Sequence, residues 1–273
     1  MAETNNKFNK INILKKIKSK YIIMRIFENL KQIKLLYIIH YNKKYQKLMN
    51  IKLKDYKNEF LNIEIEIIPK ENTYGKFINF LNNNIHIYFN DINEEIKKKE
   101  ITKDDKVAKI KIILNHKIKS LSKLFYGCRC IKKINFIKFK RDDIKDMSYM
   151  FCGCLSLEEL NLSNFKTNNV TKMDYMFAGC SSLKKINFTN FITNNVTTMA
   201  YLFHGCSSLK VINLSNFNTI KLTNMNSMFN QCSSLKEIII DNIKTINKFD
   251  ALKMFEGCSG EFKEKMSLIF GLK

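Results

Sequence analysis

The sequence predicts an α+β protein in which a solenoid of repeats with a parallel sheet follows a small helical module and a strand-rich connector. Two observations carry this prediction. The stretch Met173–Thr198 lies over its neighbours without a gap when it is shifted by 26 residues, and a period of this length is typical of solenoids. Two apolar columns also recur at that period. The core positions expected from them are Phe151, Phe177, Phe203, Phe229, Cys154, Cys180, Cys206 and Cys232.

Residues 1–60 are predicted to form a basic helical module, of which residues 1–18 are expected to be disordered. Apolar residues between Ile22 and Tyr37 recur at three- and four-residue steps without Gly or Pro, which predicts short amphipathic helices. The module carries 15 Lys/Arg and 4 Asp/Glu and so holds half of the chain's net charge of +22. Nucleic acid or an anionic membrane is therefore a candidate partner, and a compositional bias toward lysine is the alternative explanation.

Residues 61–118 are predicted to form the connector and the N-terminal cap of the solenoid. Alternating apolar residues predict strands over Leu61–Ile68 and Ile85–Phe89, and Asp91–Glu100 is predicted as a short charged helix. Val107–Leu114 alternates again and leads directly into the first repeat. We expect this last strand to cover the N-terminal edge of the solenoid sheet, because an open edge invites aggregation.

Residues 119–273 are predicted to form the solenoid and its C-terminal cap helix. Within one repeat, alternation turns Ile186 and Phe188 toward the core, and the strands of successive repeats should pair in parallel. Gly179 permits a positive φ or a close approach of two backbones. The apolar spacing within Glu261–Gly271 predicts the cap helix.

Polar residues on the other side of these strands form the expected partner-binding face. Variable polar positions on a repeating frame are how solenoids present a binding surface, and here their charge changes from acidic to basic along the sheet. The expected partner is a protein, and the oligomeric state is left open. The expected binding residues are Glu158, Glu159, Asn161, Lys184, Lys185, Asn187, Lys210, Asn213, Lys236 and Glu237.

The sequence predicts no catalytic centre and no cofactor, because its four histidines are scattered and its glycines recur at the repeat period. The cysteines of the column are interpreted as small apolar core residues. An alternative is a zinc site, because two C-x-C pairs in successive repeats could come together. Its thiols would be those of Cys128, Cys130, Cys152 and Cys154.

The sequence shows neither a signal peptide nor an apolar run of membrane-spanning length, which predicts a cytoplasmic protein with reduced thiols.

One sequence motif is common to three consecutive repeats. The pattern M-x-x-M-F-x-G-C-x-S-L-x-x-L-x-L-S-x-F-x-T-x-N-V-T is carried by Met147–Thr171, Met173–Thr197 and Met199–Thr223 with small variations. This motif resembles that of the BspA-type leucine-rich repeat family. The resemblance implies a right-handed leucine-rich-repeat solenoid with a concave parallel sheet. It also implies a relationship to bacterial and protist surface proteins and adhesins, so an adhesin exported by an unconventional route is one alternative function.

Residues 19–60 resemble an F-box, through Ile23, Ile26, Phe27 and Leu30. That resemblance implies an adapter that recruits a ubiquitin ligase. The main functional prediction is a non-enzymatic module that binds a protein on the concave face of the solenoid. The adapter, the exported adhesin and attachment to membrane or nucleic acid through residues 1–60 are the alternatives.

Overall fold

The computed structural model describes residues 61–240 and 251–272. The chain divides into two units, Met1–Leu61 and Asn62–Lys273, and the described residues after Leu61 belong to the second. The helical module and the F-box-like segment predicted within residues 1–60 lie outside the described residues. Those features stay predictions, and so do the predicted domain boundaries.

The regular elements of the described residues are mostly β-strands, with one α-helix and a single turn of 3-10 helix, Lys103–Asp105. Strands were expected close to the positions of β1, β3 and β5, and the cap helix was expected where α1 lies. The elements are β1 (Ile63–Pro69), β2 (Gly75–Lys76), β3 (Ile85–Phe89), β4 (Glu100–Ile101), β5 (Ile110–Leu114), β6 (Ile131–Lys138), β7 (Glu159–Asn161), β8 (Lys185–Asn187), β9 (Val211–Asn213), β10 (Glu237–Ile239) and α1 (Gly260–Ile269).

The main sheet has six strands in the order β3-β5-β1-β6-β7-β8. The connector strands pair antiparallel, and the repeat strands β6, β7 and β8 pair in parallel with Leu160 opposite Ile186. Strands β9 and β10 pair in parallel as a separate sheet. The parallel pairing of successive repeats is therefore as predicted, but the ladder of strand hydrogen bonds divides between β8 and β9.

The strand beside the first repeat is β1, so the prediction that Val107–Leu114 covers this edge is wrong. Ile65 lies opposite Phe136 and Ile67 opposite Ile134, whereas β5 lies on the far side of β1. Consecutive strands are often neighbours in a sheet, which favoured β5. Strand β1 is buried on its inner face through isoleucines with no exposed surface, and its central place between β5 and β6 gives it two partners.

The charged helix predicted for Asp91–Glu100 is also wrong. Asn90 and Asp91 have φ of 51° and 61°, in the left-handed region, and this turns the chain back instead of starting a helix. The amide of Ile96 then donates to the carbonyl oxygen of Ile87 at 2.8 Å. The segment thus covers part of the outer edge of β3, which limits pairing with another chain.

A second ladder of backbone hydrogen bonds joins the repeats away from the strands. Alternate amides in each repeat donate to carbonyl oxygens 25 residues later in the chain, in the next repeat, and parallel bridges join Asp146, Lys172, Thr198 and Asn224. This second ladder also joins the repeats that contain β8 and β9, between which the strand pairing is interrupted. In one repeat the donors are Met173, Tyr175, Phe177 and Gly179, which bond to Thr198, Ala200, Leu202 and His204 at 3.2, 2.9, 3.0 and 2.7 Å.

The phenylalanine column forms the centre of the core. The ring centroid of Phe177 lies 5.6 Å from that of Phe151 and 5.3 Å from that of Phe203, with the ring planes nearly parallel. Phe188 contacts Phe177 edge-on at 5.9 Å. All the predicted core phenylalanines and cysteines are fully buried, as Phe151, Phe177, Phe203, Phe229, Cys154, Cys180, Cys206 and Cys232 each have no exposed surface.

Each repeat also contains two residues in the left-handed backbone region. Gly179 has φ of 71°, so the expected positive φ is confirmed, and a Cβ added there would make only an ordinary contact with the Cα of Gly153 at 3.6 Å. The other left-handed residue is a tyrosine in the central repeats, with φ of 55° at Tyr175. Its ring stacks on Tyr149 at 4.7 Å and on Tyr201 at 4.5 Å. Stacking between repeats thus accompanies a conformation that costs a non-glycine residue energy.

Arg141 links the connector to the first repeat. Its side chain is 1% exposed, and its Nε and Nη2 donate to the carboxylate of Asp143 at 2.7 and 2.9 Å. The Nη1 group reaches the carbonyl oxygen of Asn115 at 3.4 Å, and Lys119 also contacts Asp143 at 2.6 Å. A buried guanidinium requires such a partner, because an unpaired buried charge is strongly destabilising.

Helix α1 covers the last repeat, close to where the cap helix was predicted. Phe262 and Phe270 contact the ring of Phe255 edge-on, with centroids 5.9 and 5.5 Å apart. These contacts continue the phenylalanine column into the helix and close the end of the core. Among the described residues, no helix has the length and apolar character needed to cross a membrane.

Candidate interaction surface

The outward face of the repeat strands is built by alternation within strands of three residues. In β7, the central Leu160 is 5% exposed and packs into the core, while Glu159 and Asn161 on either side are exposed. Strands β9 and β10 show the same pattern, and Ile186 at the centre of β8 is half-buried. Short strands thus place two outward side chains per repeat at fixed spacing.

The structure brings the ten predicted binding residues onto or beside this face. Nine are exposed and Glu158 is half-buried. Successive repeats align them in register, with Glu159 opposite Lys185 and Asn161 opposite Asn187. The exposed members are Glu159, Asn161, Lys184, Lys185, Asn187, Lys210, Asn213, Lys236 and Glu237.

The asparagines of this face stabilise the turns that follow the strands. The side-chain oxygen of Asn161 accepts the amide of Ser163 at 3.0 Å, and Asn187 and Asn213 accept the amides two residues later at 2.9 Å each. This local bond is typical of an Asx turn. The role was not recognised from the sequence, although the recurring Asn-x-Ser/Thr pattern carries its signal.

Two ion pairs occupy the N-terminal part of the face. The amino group of Lys133 lies 2.8 Å from Glu159, and that of Lys184 lies 3.5 Å from Glu158. The hydrogen bond from Lys133 lowers the pKa of Glu159 and raises the pKa of Lys133 itself. Both acidic residues predicted to begin the charge gradient are therefore already paired with lysines.

Two exposed aliphatic residues were missed by the sequence analysis. Val211 in β9 is 46% exposed and Ile239 in β10 is 38% exposed. Their registers place Val211 opposite Glu237 and Ile239 opposite Asn213. The signal was available, because both occupy outward positions that hold charged or asparagine residues in other repeats.

The cysteines do not form a metal site in the described part of the chain, where no group of three or more His, Cys, Asp or Glu side chains is placed to hold an ion. The thiol of Cys130 instead donates to the carbonyl oxygen of Lys76 at 3.2 Å. All eight cysteines are free thiols, and burial raises the pKa of Cys130 to about 11 and that of Cys206 to about 12.

The comparisons with known proteins agree with the repeat organisation. The family model described as "Mycoplasma protein of unknown function, DUF285" matches residues 119–241 and 183–268, which together span more than half of the chain. The chain belongs to this DUF285 family. No curated protein and no solved structure matches the chain. The DUF285 match covers strands β6 to β10 and most of helix α1, so the candidate surface lies within the family's own region.

Proposed function

We propose that the chain is a non-enzymatic protein–protein interaction module that binds a partner on the outward face of β7 to β10. We also propose that its repeats form a right-handed leucine-rich-repeat solenoid of the BspA type, in which this face is concave. Membership of the DUF285 repeat family is compatible with a repeat protein.

The supporting observation is the contrast between the inner and outer columns of the same repeats. The inner column keeps phenylalanine in every repeat from Phe125 to Phe255. The outward column formed by Lys133, Glu159, Lys185, Val211 and Glu237 changes chemical character at each step. A regular frame with variable outward residues is what repeat proteins use for recognition.

The proposal is tested by placing a photo-crosslinking residue at Lys185, on the face, and separately at Lys172, which is exposed outside the repeat strands. In cells that produce the full chain, we expect a discrete protein crosslink from position 185 and none of the same mass from position 172. A partner that crosslinks only from position 172, or equally from both, would remove the basis for this proposal.

The alternative functions depend on other features. The ubiquitin-ligase adapter and the attachment to membrane or nucleic acid both require residues 1–60, which lie outside the described residues. The adhesin exported by an unconventional route and the cytoplasmic location rest on the sequence alone. All of these stay predictions, as do the absence of a cofactor and of catalytic activity.

A further inference from the structure

The last repeats place three lysines in one column beside the outward face. Lys184, Lys210 and Lys236 are spaced by 26 residues, and the amide of Lys236 donates to the carbonyl oxygen of Lys210 at 2.8 Å. Neighbouring strands lie about 5 Å apart, so equivalent side chains in adjacent repeats start from neighbouring positions. Like charges placed opposite each other destabilise a sheet. The stability of the fold therefore does not account for this column.

Two of the three acidic residues of the face, Glu158 and Glu159, lie at its other end, and the third, Glu237, lies in β10. Glu159 pairs with Lys133 and Glu158 pairs with Lys184. Within the described residues, no ion pair involves Lys185, Lys210 or Lys236. The N-terminal part of the face is thus internally neutralised, and the part formed by the last repeats keeps an excess of positive charge.

The same part of the face exposes the aliphatic side chains of Val211 and Ile239. They lie on the paired strands β9 and β10, two residues apart in register, with Glu237 and Asn213 directly opposite them. We call the set Lys185, Lys210, Lys236, Val211 and Ile239 the basic–apolar patch. Its chemistry is complementary to a ligand that combines carboxylates with apolar groups, since charge complementarity selects and orients partners.

We propose that the basic–apolar patch binds an acidic protein segment, whose carboxylates neutralise the lysines while its apolar side chains cover Val211 and Ile239. This inference rests on the proposed function and narrows it to the repeats that contain β8, β9 and β10 and to an acidic partner. A single-stranded nucleic acid fits the patch less well, because such ligands stack their bases on aromatic side chains. The outward residues of β7 to β10 are polar, charged or aliphatic.

The test uses the full chain and a short fluorescent peptide that alternates glutamate and valine, with binding followed by anisotropy. Two comparison peptides replace glutamate by lysine or valine by serine. The test variant is K210E/K236E. The matched control is K166E/K172E, which makes the same change in net charge at exposed lysines outside the repeat strands. A milder variant, K210Q/K236Q, is measured in parallel, and melting curves show which variants are folded.

The glutamate–valine peptide is expected to bind the parent and the control variant equally and to bind both lysine variants at least about tenfold more weakly, a change of about 1.4 kcal/mol. Its affinity should fall as salt is raised from about 50 to 200 mM, because the contacts are ionic. Both comparison peptides should bind more weakly than the glutamate–valine peptide.

Three results would overturn the inference: no binding of the glutamate–valine peptide, equal binding by the folded lysine variants, or preference for the lysine–valine peptide. Binding of a single-stranded oligonucleotide in place of the peptide, lost in the same variants, would assign the patch to nucleic acid instead. The crosslink from position 185 separates this inference from the proposed function. If that crosslink persists in K210E/K236E, the face binds a protein but not through acidic contacts.

Discussion

The thiol of Cys180 donates a hydrogen bond to the carbonyl oxygen of Phe151 in the preceding repeat, with 3.2 Å between sulfur and oxygen. The bond recurs at an offset of 29 residues along the whole column, from Cys154 to Phe125 through Cys258 to Phe229. The cysteine column therefore does more than fill space in the core. Each thiol adds a second hydrogen bond to a carbonyl oxygen that already accepts an amide in its own repeat, and so ties its repeat to the one before it.

The first prediction concerns the reactivity of these thiols. Cys180 and Cys206 are fully buried, and burial raises the pKa of both, to about 12 at Cys206. Cys152 is only half-buried, although burial raises its pKa as well. A bulky thiol reagent should therefore label Cys152 in the native protein and label Cys180 and Cys206 only on unfolding. Site-resolved mass spectrometry measures the rates, and labelling of all eight at one fast rate would contradict the buried column.

The second prediction compares two phenylalanines of the core column. Phe177 stacks between two rings, whereas Phe125 stacks on Phe151 alone at 5.7 Å. Replacing Phe177 by alanine should cost about 3–5 kcal/mol of unfolding free energy. Phe125→Ala should cost less, because fewer neighbouring rings lose contact. Urea denaturation measures both values. Equal losses of unfolding free energy would show that the number of neighbouring rings does not decide the cost.

The third prediction uses the repeat that departs from the glycine column. Gln231 has φ of 58° where Gly179 has 71°, and a left-handed backbone costs a non-glycine residue about 1–2 kcal/mol. Gln231→Gly should stabilise the protein by about 1 kcal/mol, and Gly179→Ala should destabilise it by a similar amount. Gly260→Ala is the matched control, because an added Cβ there meets nothing within 4 Å and φ is not left-handed. A loss of stability in Gln231→Gly would contradict the argument.

The fourth prediction concerns where an independently folding fragment must begin. A chain that begins at Asn62 keeps β1 against β6, whereas a chain that begins at Asp104 lacks β1 and exposes the edge at Ile134 and Phe136. We expect the first fragment to be monomeric and the second to aggregate. Size-exclusion chromatography with circular dichroism checks this, and a well-behaved monomer from Asp104 would show that β1 is dispensable.

The fifth prediction concerns how the stability contributed by the contact between Arg141 and Asp143 depends on pH. Burial by itself would raise the pKa of Asp143, but hydrogen bonds from Arg141 and Lys119 outweigh it and lower the pKa to about 2, from 3.8. A depressed carboxyl pKa contributes stability above pH 3.8 that is lost as pH falls toward 2. Asp143→Asn should therefore cost about 2 kcal/mol at pH 7, since it leaves a buried guanidinium without its counter-ion while Asp143 itself is partly exposed.

The control for this prediction is how the difference in melting temperature between the two proteins changes with pH. The gap in melting temperature between the parent and Asp143→Asn should be constant from pH 7 to about pH 5 and should narrow below pH 4. A difference in melting temperature that stays constant down to pH 2 would mean that Asp143 stabilises the contact with Arg141 through its shape and not through its charge.

The sequence predicted the features that recur and missed those that occur once. The burial of Phe177 and Cys180 follows from a period repeated six times, and the inward turn of Phe188 follows from alternation. The choice of β1 over β5 as the neighbour of β6 could not be predicted, because the connector strands share the same alternating isoleucines. The helix expected at Asp91–Glu100 failed because two adjacent residues adopt a left-handed backbone, which side-chain spacing does not reveal.

The sequence predicted where the residues of the candidate face lie better than it predicted which bonds they make. The alternation that turned Phe188 inward also turned Lys185 outward. The bonds of Asn161 to its own turn and the pairing of Glu159 with Lys133 depend on distances between side chains, which a register alone does not give. Val211 was passed over because an aliphatic residue in a strand is expected to face the core.

Because the backbone hydrogen bonds of the second ladder between repeats always join residues 25 apart, the chain could lose or gain one whole repeat and keep the same bonding pattern. If Met173–Thr198 were deleted, Lys172 would directly precede Met199, as Thr198 does now. The amide of Tyr149, which now donates to the carbonyl oxygen of Asp174, would then donate to that of Ala200. Every donor would meet an equivalent acceptor, and the connector and helix α1 would be untouched. Gain or loss of a 26-codon block would thus lengthen or shorten the outward face while the fold of the remaining repeats stayed the same.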